Sequence, residues 1–496
     1  MLKILSLSLL VALACSQLPA QEKNIHRVLA PVERHGFKSL TSYDSLKAFL
    51  ESLSGCPDVK VSILASSRSG RSVFLVHCGQ GDASSKGSRL RVLLFAQQHG
   101  DEPAGKEALT MLLAKCASGA AAPALQGIDL YVVPQMNPDG AELRQRRTAD
   151  SLDLNRSHLV LSSPETAALH ELFYSLQPQV TMDIHEFGAY SESWSKAGFI
   201  KRADVQVGTL TNLNSSETLR SYESTTVFPF IASRMAAAGY AFEEYIVGSP
   251  EDRIRHSTTE INDGRQSFGI LNTMSFIQEG RGGKTLEANL ERRARSQLAS
   301  IEAMLAFCKD HAQVIDRMVV AERARLSGMG GALFALRMEH VHGSGVLRIP
   351  VTLVPSGRDT VLAVGPYHDV VRALATTTVP SGYYIPAAQK SVIELLQRHH
   401  VMMEVVGAER PVNVERYWID SVGYDVLEED SLPRPFVHKT METVVAHPGD
   451  IVLSTAQWHS MFLPTVLEPE SMWGILKYEK FAPLLKKGQY PICRIR

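Results

Sequence analysis

The sequence predicts an α/β fold, in which helices cover a β-sheet, followed by a smaller C-terminal α/β or α+β domain. The first observation is an unbroken apolar run over residues 92–96, which is typical of a strand buried on both faces of a sheet. The second is that two further segments, at residues 129–133 and 179–184, are predicted to be buried strands, with amphipathic helical segments between them. The third is the length of 496 residues, which exceeds the ∼250–300 residues that one hydrophobic core usually serves.

The first elements of the chain are a helix and a hairpin. Residues 42–53 carry leucine and phenylalanine at helical spacing, which predicts one amphipathic helix. Two short strands follow at residues 59–64 and 72–76, and the turn between them contains Gly70.

Helices and strands then alternate along the chain. The amphipathic segment at residues 103–115 has a proline near its first turn, which suits the start of a helix. The polar stretch at residues 189–260 has few periodic segments, and we expect loops and helices around a cleft there. The other elements predicted in this part are strands at residues 129–133, 179–184 and 268–277 and helices at residues 164–176 and 286–308.

A change in composition over residues 318–331 predicts a boundary between two domains. We therefore expect a first domain over residues 21–320 and a second, of unknown role, over residues 321–496. The strands and the helix predicted in the second domain cover residues 332–341, 346–354, 360–367 and 381–406.

The N-terminal segment, residues 1–20, has the pattern of a secretory signal peptide. Lys3 supplies a positive start, residues 4–14 form a short apolar core, and Ala20 offers a small residue for cleavage. Anchoring as a lipoprotein at Cys15 is an alternative that the residues before it match less well. We therefore expect a secreted or periplasmic protein.

Composition argues against several classes of partner. The chain has 51 lysine and arginine residues against 52 aspartate and glutamate residues, so no net positive field favours nucleic acid. No stretch after the signal peptide reaches the roughly 18 apolar residues that a transmembrane helix needs.

The cysteines form no C-x-x-C pair, and both a Cys56–Cys78 disulfide and buried free thiols remain open.

A histidine and a glutamate follow the strand at residues 92–96. In open α/β sheets, ligands bind at the carboxyl ends of the strands, which is where His99 and Glu102 lie. An imidazole nitrogen and a carboxylate oxygen can both reach one zinc ion at roughly 2.0–2.2 Å. The alternative is a surface turn with a solvated histidine and glutamate.

Further polar groups follow the later strands. An arginine-rich loop after the second strand contains Arg146 and leads to Asn155 and Arg156. His185 follows the third strand, and Glu279 ends the next apolar run. These groups and the first pair are therefore expected at one edge of the sheet.

Five short motifs occur in the order HGDE, NPDG, DLNR, DIHE and QEGR between residues 90 and 285. In this combination the chain resembles the zinc metallocarboxypeptidases of the carboxypeptidase A type. The resemblance implies a mixed, twisted β-sheet flanked by helices and one zinc ion per chain. It also implies that the substrate is a peptide or a peptidoglycan stem peptide.

The resemblance assigns zinc binding to His99, Glu102 and His185, a His₂Glu set that leaves a fourth position for water. The alternative for His185 is a hydrogen-bonded histidine at the edge of the core. Asp183 and Glu186 flank His185 and could support the ligands, although we expect Asp183 on the opposite face of the strand.

The resemblance also assigns two catalytic roles. Glu279 matches the family's general base, which takes a proton from water and gives it to the leaving amine. The alternative for Glu279 is a structural pair with Arg281. Arg146 matches the arginine that stabilises the negative charge of the tetrahedral intermediate, with Arg144 and Arg147 as competing candidates.

Substrate binding is assigned to Asn155 and Arg156, with Arg146 as a further contact. A planar guanidinium can donate two parallel hydrogen bonds to the free terminal carboxylate of a peptide. The alternative for Arg156 is a structural ion pair with Asp150 or Asp153.

One feature of the family has no counterpart at its usual place. The tyrosine of the substrate cleft normally stands about two dozen residues before the catalytic glutamate, but no tyrosine lies near Ser257. The nearest are Tyr240 and Tyr245. The floor of the specificity pocket is expected near residues 260–266.

We therefore expect a secreted zinc carboxypeptidase that hydrolyses the C-terminal amide bond of peptides, with Glu279 as the general base. The first alternative is a zinc deacylase of N-acyl amino acids, similar to aspartoacylase or succinylglutamate desuccinylase, and the signal peptide and the NPDG turn argue against it. The second is a non-catalytic binding protein on the same fold. The presence of all three ligands and the base argues against that alternative.

Overall fold

The computed structural model describes residues 28–79, 89–427 and 430–496. The predicted signal peptide at residues 1–20 and Cys15 lie outside the described residues. Among the residues that are described, no helix has the length and apolar character needed to cross a membrane.

The helices and strands are numbered in chain order. The described helices are α1 Pro31–Arg34, α2 Tyr43–Ser52, α3 Ala104–Ala117, α4 Pro138–Leu143, α5 Pro164–Leu176, α6 Glu192–Lys196, α7 Glu217–Tyr222, α8 Phe228–Ala237, α9 Gln266–Gly269, α10 Leu290–Leu326, α11 Lys390–Arg398 and α12 Phe462–Leu467. The strands up to α10 are β1 Val59–Ser66, β2 Ser72–Cys78, β3 Leu90–Ala96, β4 Ile128–Val133, β5 Val180–Phe187, β6 Phe199–Lys201, β7 Val205–Gly208, β8 Phe242–Glu244, β9 Ile246–Val247, β10 Arg255–His256 and β11 Met274–Arg281. The later strands are β12 Leu333–Val341, β13 Leu347–Leu353, β14 Asp359–Val364, β15 Val370–Thr378, β16 Gly382–Ile385, β17 Glu404–Val405, β18 Arg410–Leu427, β19 Asp430–Ala446, β20 Ile451–Ser454, β21 Gly488–Gln489 and β22 Cys493–Ile495.

Eight of the described strands form one mixed sheet in the order β1-β2-β4-β3-β5-β11-β7-β8. The central strands β4, β3, β5 and β11 are parallel to their neighbours within this group. The antiparallel pairs are β1 with β2, β2 with β4, and β11 with β7. The predicted mixed sheet flanked by helices is confirmed, and so is a further sheet-rich C-terminal part.

Strand β3 is buried on both faces, as its unbroken apolar sequence predicts. Val92, Leu94 and Ala96 belong to a core shared with α2, α3 and α10, whereas Leu93 and Phe95 belong to a second core shared with α5. Burial of each large apolar side chain contributes about 1.5–3 kcal/mol. Only the carboxyl end of the strand is therefore free to present polar groups.

Three parts of the chain differ from the sequence prediction. The stretch at residues 189–260, expected to form loops and helices, also contains the strands β6 to β10, and β7 and β8 join the main sheet. Helix α10 continues beyond residue 308 because Ile315, Val319 and Leu326 keep an apolar stripe buried along it. The strand predicted from residue 268 begins only at Met274, because Asn272 adopts a left-handed conformation with φ of +54° after the short helix α9. A short apolar run cannot be assigned to helix or strand from periodicity alone.

The C-terminal part packs directly on the main sheet. Phe334, Tyr383 and Trp473 lie in the same core as Phe95 of β3. In addition, β13 pairs with β6, with Val351 opposite Lys201. Helix α10 runs through the predicted boundary at residue 320, and the division into two domains stays a prediction.

The cysteines of the described residues form no disulfide, since all five have free thiols.

Candidate active site

The turn after β3 carries His99 and Glu102 over the edge of the sheet. Gln97 adopts a left-handed conformation with φ of +55°, and its side-chain amide donates to the Gly100 carbonyl at 2.9 Å. Gly100 packs against the first turn of α4, where a Cβ atom would lie 2.1 Å from the carbonyl carbon of Gly140. The HGDE and NPDG motifs therefore depend on each other, because a side chain at position 100 would force the two turns apart.

His185 lies near the end of β5, a strand that is buried along its whole length. Strand β11 is its parallel neighbour, and Glu279 stands directly opposite His185 in the register. The carboxyl ends of β3, β5 and β11 thus bring together residues that are far apart in the sequence.

The nitrogen and oxygen atoms of His99, Glu102 and His185 converge on one point. The Nδ1 atom of His99 lies 2.8 Å from Oε1 of Glu102, and Nδ1 of His185 lies 2.9 Å from Oε2 of Glu102. The two Nδ1 atoms are 3.1 Å apart. Two ligands at about 2.1 Å from a tetrahedral ion are separated by roughly 3.4 Å, so this donor set fits one zinc ion.

A carboxylate stands behind each histidine. Nε2 of His185 lies 2.8 Å from Oδ1 of Asp183, and Nε2 of His99 lies 3.2 Å from Oδ1 of Asp153. The expected opposite orientation of Asp183 is wrong, because residues two apart on a strand share a face. A carboxylate at Nε2 favours a proton there and leaves the Nδ1 lone pair for a metal.

The surroundings of Glu102 strongly favour the ionised form of its carboxyl group. Burial acts to raise the pKa of its carboxyl group, but His99 and His185 outweigh burial and hold the pKa well below its usual value. Glu102 is therefore ionised and contacts both imidazoles. A carboxyl group must be ionised to bind a metal ion.

Glu279 faces the same site from β11. Its carboxyl group is 7% exposed, and burial raises its pKa to about 7 while His185 acts in the opposite direction. The alternative pair with Arg281 is not formed, since the Arg281 guanidinium lies over the Tyr190 ring at 5.6 Å.

Arg146 is the arginine of its loop that reaches this cluster. Its Nη1 atom lies 3.1 Å from Nδ1 of His99, and its Nε atom donates to Asp153 at 3.0 Å. Arg144 instead pairs with Glu287 at 2.5 Å. Arg147 donates to a main-chain carbonyl of its own loop.

Asn155 and Arg156 lie beside the histidine cluster. The Asn155 side chain is fixed because its Oδ1 accepts from the main-chain N–H of Gly264 at 2.8 Å. The Arg156 guanidinium is about half-exposed and forms its ion pair with Glu260 at 3.4 Å, rather than with either aspartate suggested by the sequence. Asp150 pairs with Arg68 instead.

Six of the seven predicted site residues line one cavity of about 290 Å³. It is lined by His99, Glu102, Arg146, Asn155, Arg156 and Glu279, while His185 is 1% exposed. The structure therefore brings together every residue that the sequence motifs singled out.

The cavity also contains residues that sequence reasoning missed. Trp194 and Lys201 line it from the polar stretch at residues 189–260, where no motif signals them. Of the two tyrosines considered, Tyr245 lines the cavity, whereas the Tyr240 ring lies under Arg292.

Comparisons with known proteins identify sequences that are similar to this chain. Residues 46–165 match the family model described as zinc carboxypeptidase, a range that contains the HGDE, NPDG and DLNR motifs. Carboxypeptidase 2 of Trichophyton rubrum is 25% identical over 421 residues, which cover 82% of this chain and 77% of that protein. The probable carboxypeptidase 2 of Arthroderma benhamiae is 31% identical over 229 residues, which cover 45% of this chain and 44% of that protein.

Solved structures give a further finding. A metallo-carboxypeptidase from Burkholderia cenocepacia matches with a TM-score of 0.43 and 20% identity over 55% of this chain and 69% of that chain. The resemblance to the zinc metallocarboxypeptidases and the enzyme class that it implies are confirmed by the family and sequence matches.

Proposed function

We propose that this chain, a metallocarboxypeptidase related to the zinc carboxypeptidases, is a secreted, zinc-dependent enzyme that hydrolyses the C-terminal amide bond of peptides or peptidoglycan stem peptides. The pattern of residues 1–20 supports the secreted or periplasmic location. The proposal assigns one zinc ion to each chain.

The observation that carries the proposal is the convergence of His99, Glu102 and His185. The two Nδ1 atoms are 3.1 Å apart, and each lies 2.8 or 2.9 Å from one oxygen of Glu102. Lone pairs this close together favour a shared cation or proton between them. When bound there, zinc would supply a Lewis acid that polarises the scissile carbonyl and lowers the pKa of water to about 7.

Glu279 is the residue proposed to move the proton. Its carboxylate faces the cavity next to His185, where it can accept a proton from the attacking water. The same group can then donate that proton to the leaving amine. Arg146 lies beside His99 and can share the negative charge that develops on the carbonyl oxygen.

Arg156 and Asn155 are proposed to select the free C-terminus. Arg156 keeps about half of its side chain exposed to the cavity, so its guanidinium can receive a carboxylate. Asn155 is held by Gly264 and adds a fixed polar group next to it.

The test combines a peptide mixture with a general-base variant. We expect the zinc-loaded protein to release single residues from peptide C-termini, and Glu279→Gln to reduce the rate by about 10²–10⁴-fold because the proton acceptor is lost. Glu291→Gln, an exposed glutamate at the start of α10, is the matched control and should keep full activity. Full activity of Glu279→Gln would refute the assignment of the base.

A second pair of variants tests recognition of the C-terminus. Arg156→Ala should abolish the preference for a peptide acid over the corresponding peptide amide, whereas Arg144→Ala should keep it. Cleavage of N-acyl amino acids without cleavage of peptides would favour the deacylase instead.

A further inference from the structure

Lys201 is a buried cation that faces the active-site cavity. Its side chain is 6% exposed, and it lines the same cavity as His99, Glu102 and Glu279. The ammonium lies 4.6 Å from the ring centre of Phe187 and over the Trp194 ring. Within the part of the chain that the structure describes, its interactions are with these rings and with two carboxyl groups at longer range, and no acceptor takes a hydrogen bond from it.

The fold holds this ammonium in place. Lys201 ends strand β6, which pairs with β13 of the C-terminal part, and Val351 stands opposite it. The Trp194 ring next to Lys201 is fixed by a hydrogen bond from its indole N–H to the Gly248 carbonyl at 2.9 Å. The rest of the Trp194 ring packs with Ile349 and Val351 in a small apolar core. Lys201 is therefore positioned by regular structure rather than by a free loop.

The groups around Lys201 leave its charge incompletely balanced. Burial lowers the pKa of the ammonium to about 8, and Glu279 and Glu243 offset part of that effect. Glu243 accepts only a long hydrogen bond from Gln206 at 3.4 Å, and burial raises the pKa of its carboxyl group to about 7. At neutral pH, Lys201 is thus mostly protonated while Glu243 is only partly ionised. A buried cation of this kind is costly unless it meets an anion.

Lys201 and Arg156 interact with different carboxylates around the cavity. The carboxylates near Arg156 are Glu260, Asp153 and Asp263, and Lys201 has none of these as a neighbour. A substrate whose terminal carboxylate is bound by Arg156 therefore meets a second, separate cation in the same cavity.

We propose that Lys201 is a specificity-determining residue that binds a second carboxylate of the substrate, on the C-terminal residue or on the residue before it. This inference rests on the proposed function. It predicts that the enzyme prefers a peptide with a glutamate side chain at one of these positions over the same peptide with glutamine there.

The test uses N-acylated dipeptides that differ in one side chain. The terminal pairs Ala-Glu and Ala-Gln examine the C-terminal position, and the pairs Glu-Ala and Gln-Ala examine the preceding one. For the wild-type enzyme, we expect kcat/KM to be at least about tenfold higher for glutamate at one of these positions, the effect of one charged hydrogen bond. Equal values at both positions would overturn the inference and leave the proposed function intact, whereas no hydrolysis of any peptide would refute the proposed function.

Three variants then connect the preference to Lys201. Lys201→Met should remove the preference, so that kcat/KM for the glutamate peptide falls to about the value for the glutamine peptide of the same variant. Lys201→Arg should retain part of the preference because it keeps the charge. Lys196→Met, an exposed lysine on α6, is the matched control and should behave as the wild type. Equal losses on the glutamate and glutamine peptides in Lys201→Met would contradict a role in specificity.

Discussion

At the scale of single residues, the candidate metal site depends on two carboxylates that do not themselves point at the metal position. Asp183 and Asp153 each lie behind one histidine and favour the orientation in which its Nδ1 atom faces the site. Partners of this kind fix the tautomer and the ring orientation of a ligand.

Asp183→Asn tests this arrangement. The change keeps the size of the side chain but removes the negative charge 2.8 Å from Nε2 of His185. We expect the affinity for zinc to fall about 10–100-fold, measured by competition with a chelator. Asp310→Asn, an exposed aspartate on α10, is the control, and an unchanged affinity in Asp183→Asn would show that the carboxylate does not support the ligand.

The residues of the site were predictable where a motif marks them, and the others were not. His99 and Glu102 follow an apolar run and His185 and Glu279 stand at the end of one, so their common edge could be deduced before the structure. Lys201 stands in a polar stretch and owes its place to pairing with β13, about 150 residues further along the chain. Such long-range pairing leaves no local sequence signal.

At the scale of secondary structure elements, a buried ion pair joins helix α10 to the strand that carries His185. Glu186 accepts hydrogen bonds from Nε and Nη2 of Arg293 at 2.9 Å and 2.6 Å. Its other oxygen accepts from the main-chain N–H of Ala104 at the start of α3. Arg293 is 4% exposed, so the ion pair is buried.

Arg293→Met tests the energetic role of this pair. The variant leaves the Glu186 carboxyl group buried without its cation, and we expect the free energy of unfolding to fall by about 3–5 kcal/mol. Arg295→Met removes an exposed arginine that pairs with Glu291 on the same helix, and it should change stability by at most about 0.5 kcal/mol. Denaturant unfolding measures both, and equal effects of the two variants would contradict the assignment.

The elements between residues 90 and 187 were largely predictable, whereas the strands β6 to β10 and the long pair β18 and β19 were not predicted. Helix α5 begins at Pro164 and ends at Leu176 as expected, because Ser163 caps it by accepting from the Thr166 N–H and Gln177 ends it in a left-handed conformation. The end of α10 was missed, since its exposed charges hide the apolar stripe that continues to Leu326.

At the scale of the whole molecule, the C-terminal part and the main sheet share one core that contains buried histidines. His399 accepts or donates a hydrogen bond with Tyr174 at 3.0 Å, and His459 lies close to the same tyrosine. Burial lowers the pKa of His399 to about 4 and that of His459 to about 3, from an ordinary value of 6.5. Both are neutral in the folded protein at neutral pH.

This interface predicts loss of stability in acid. Below pH 6.5 the unfolded chain binds protons at these histidines while the folded protein does not, so stability falls as the pH decreases from about 6.5 to 4. Each histidine contributes up to about 1.4 kcal/mol per pH unit in that window. Thermal unfolding measured against pH should show a smaller acid effect in His459→Gln and an unchanged one in His400→Gln, an exposed control. A stability that is independent of pH between 4 and 6.5 would contradict the prediction.

The central claim is that His99, Glu102 and His185 hold one zinc ion. Its most direct test is the zinc content of the purified, folded protein and of His99→Ala, Glu102→Gln and His185→Ala, measured by mass spectrometry with circular dichroism as the check of folding. We predict about one zinc ion per wild-type chain and a near-complete loss in each variant, since three protein ligands define such a site. A wild-type protein that binds no zinc, or variants that retain it fully, would contradict the account.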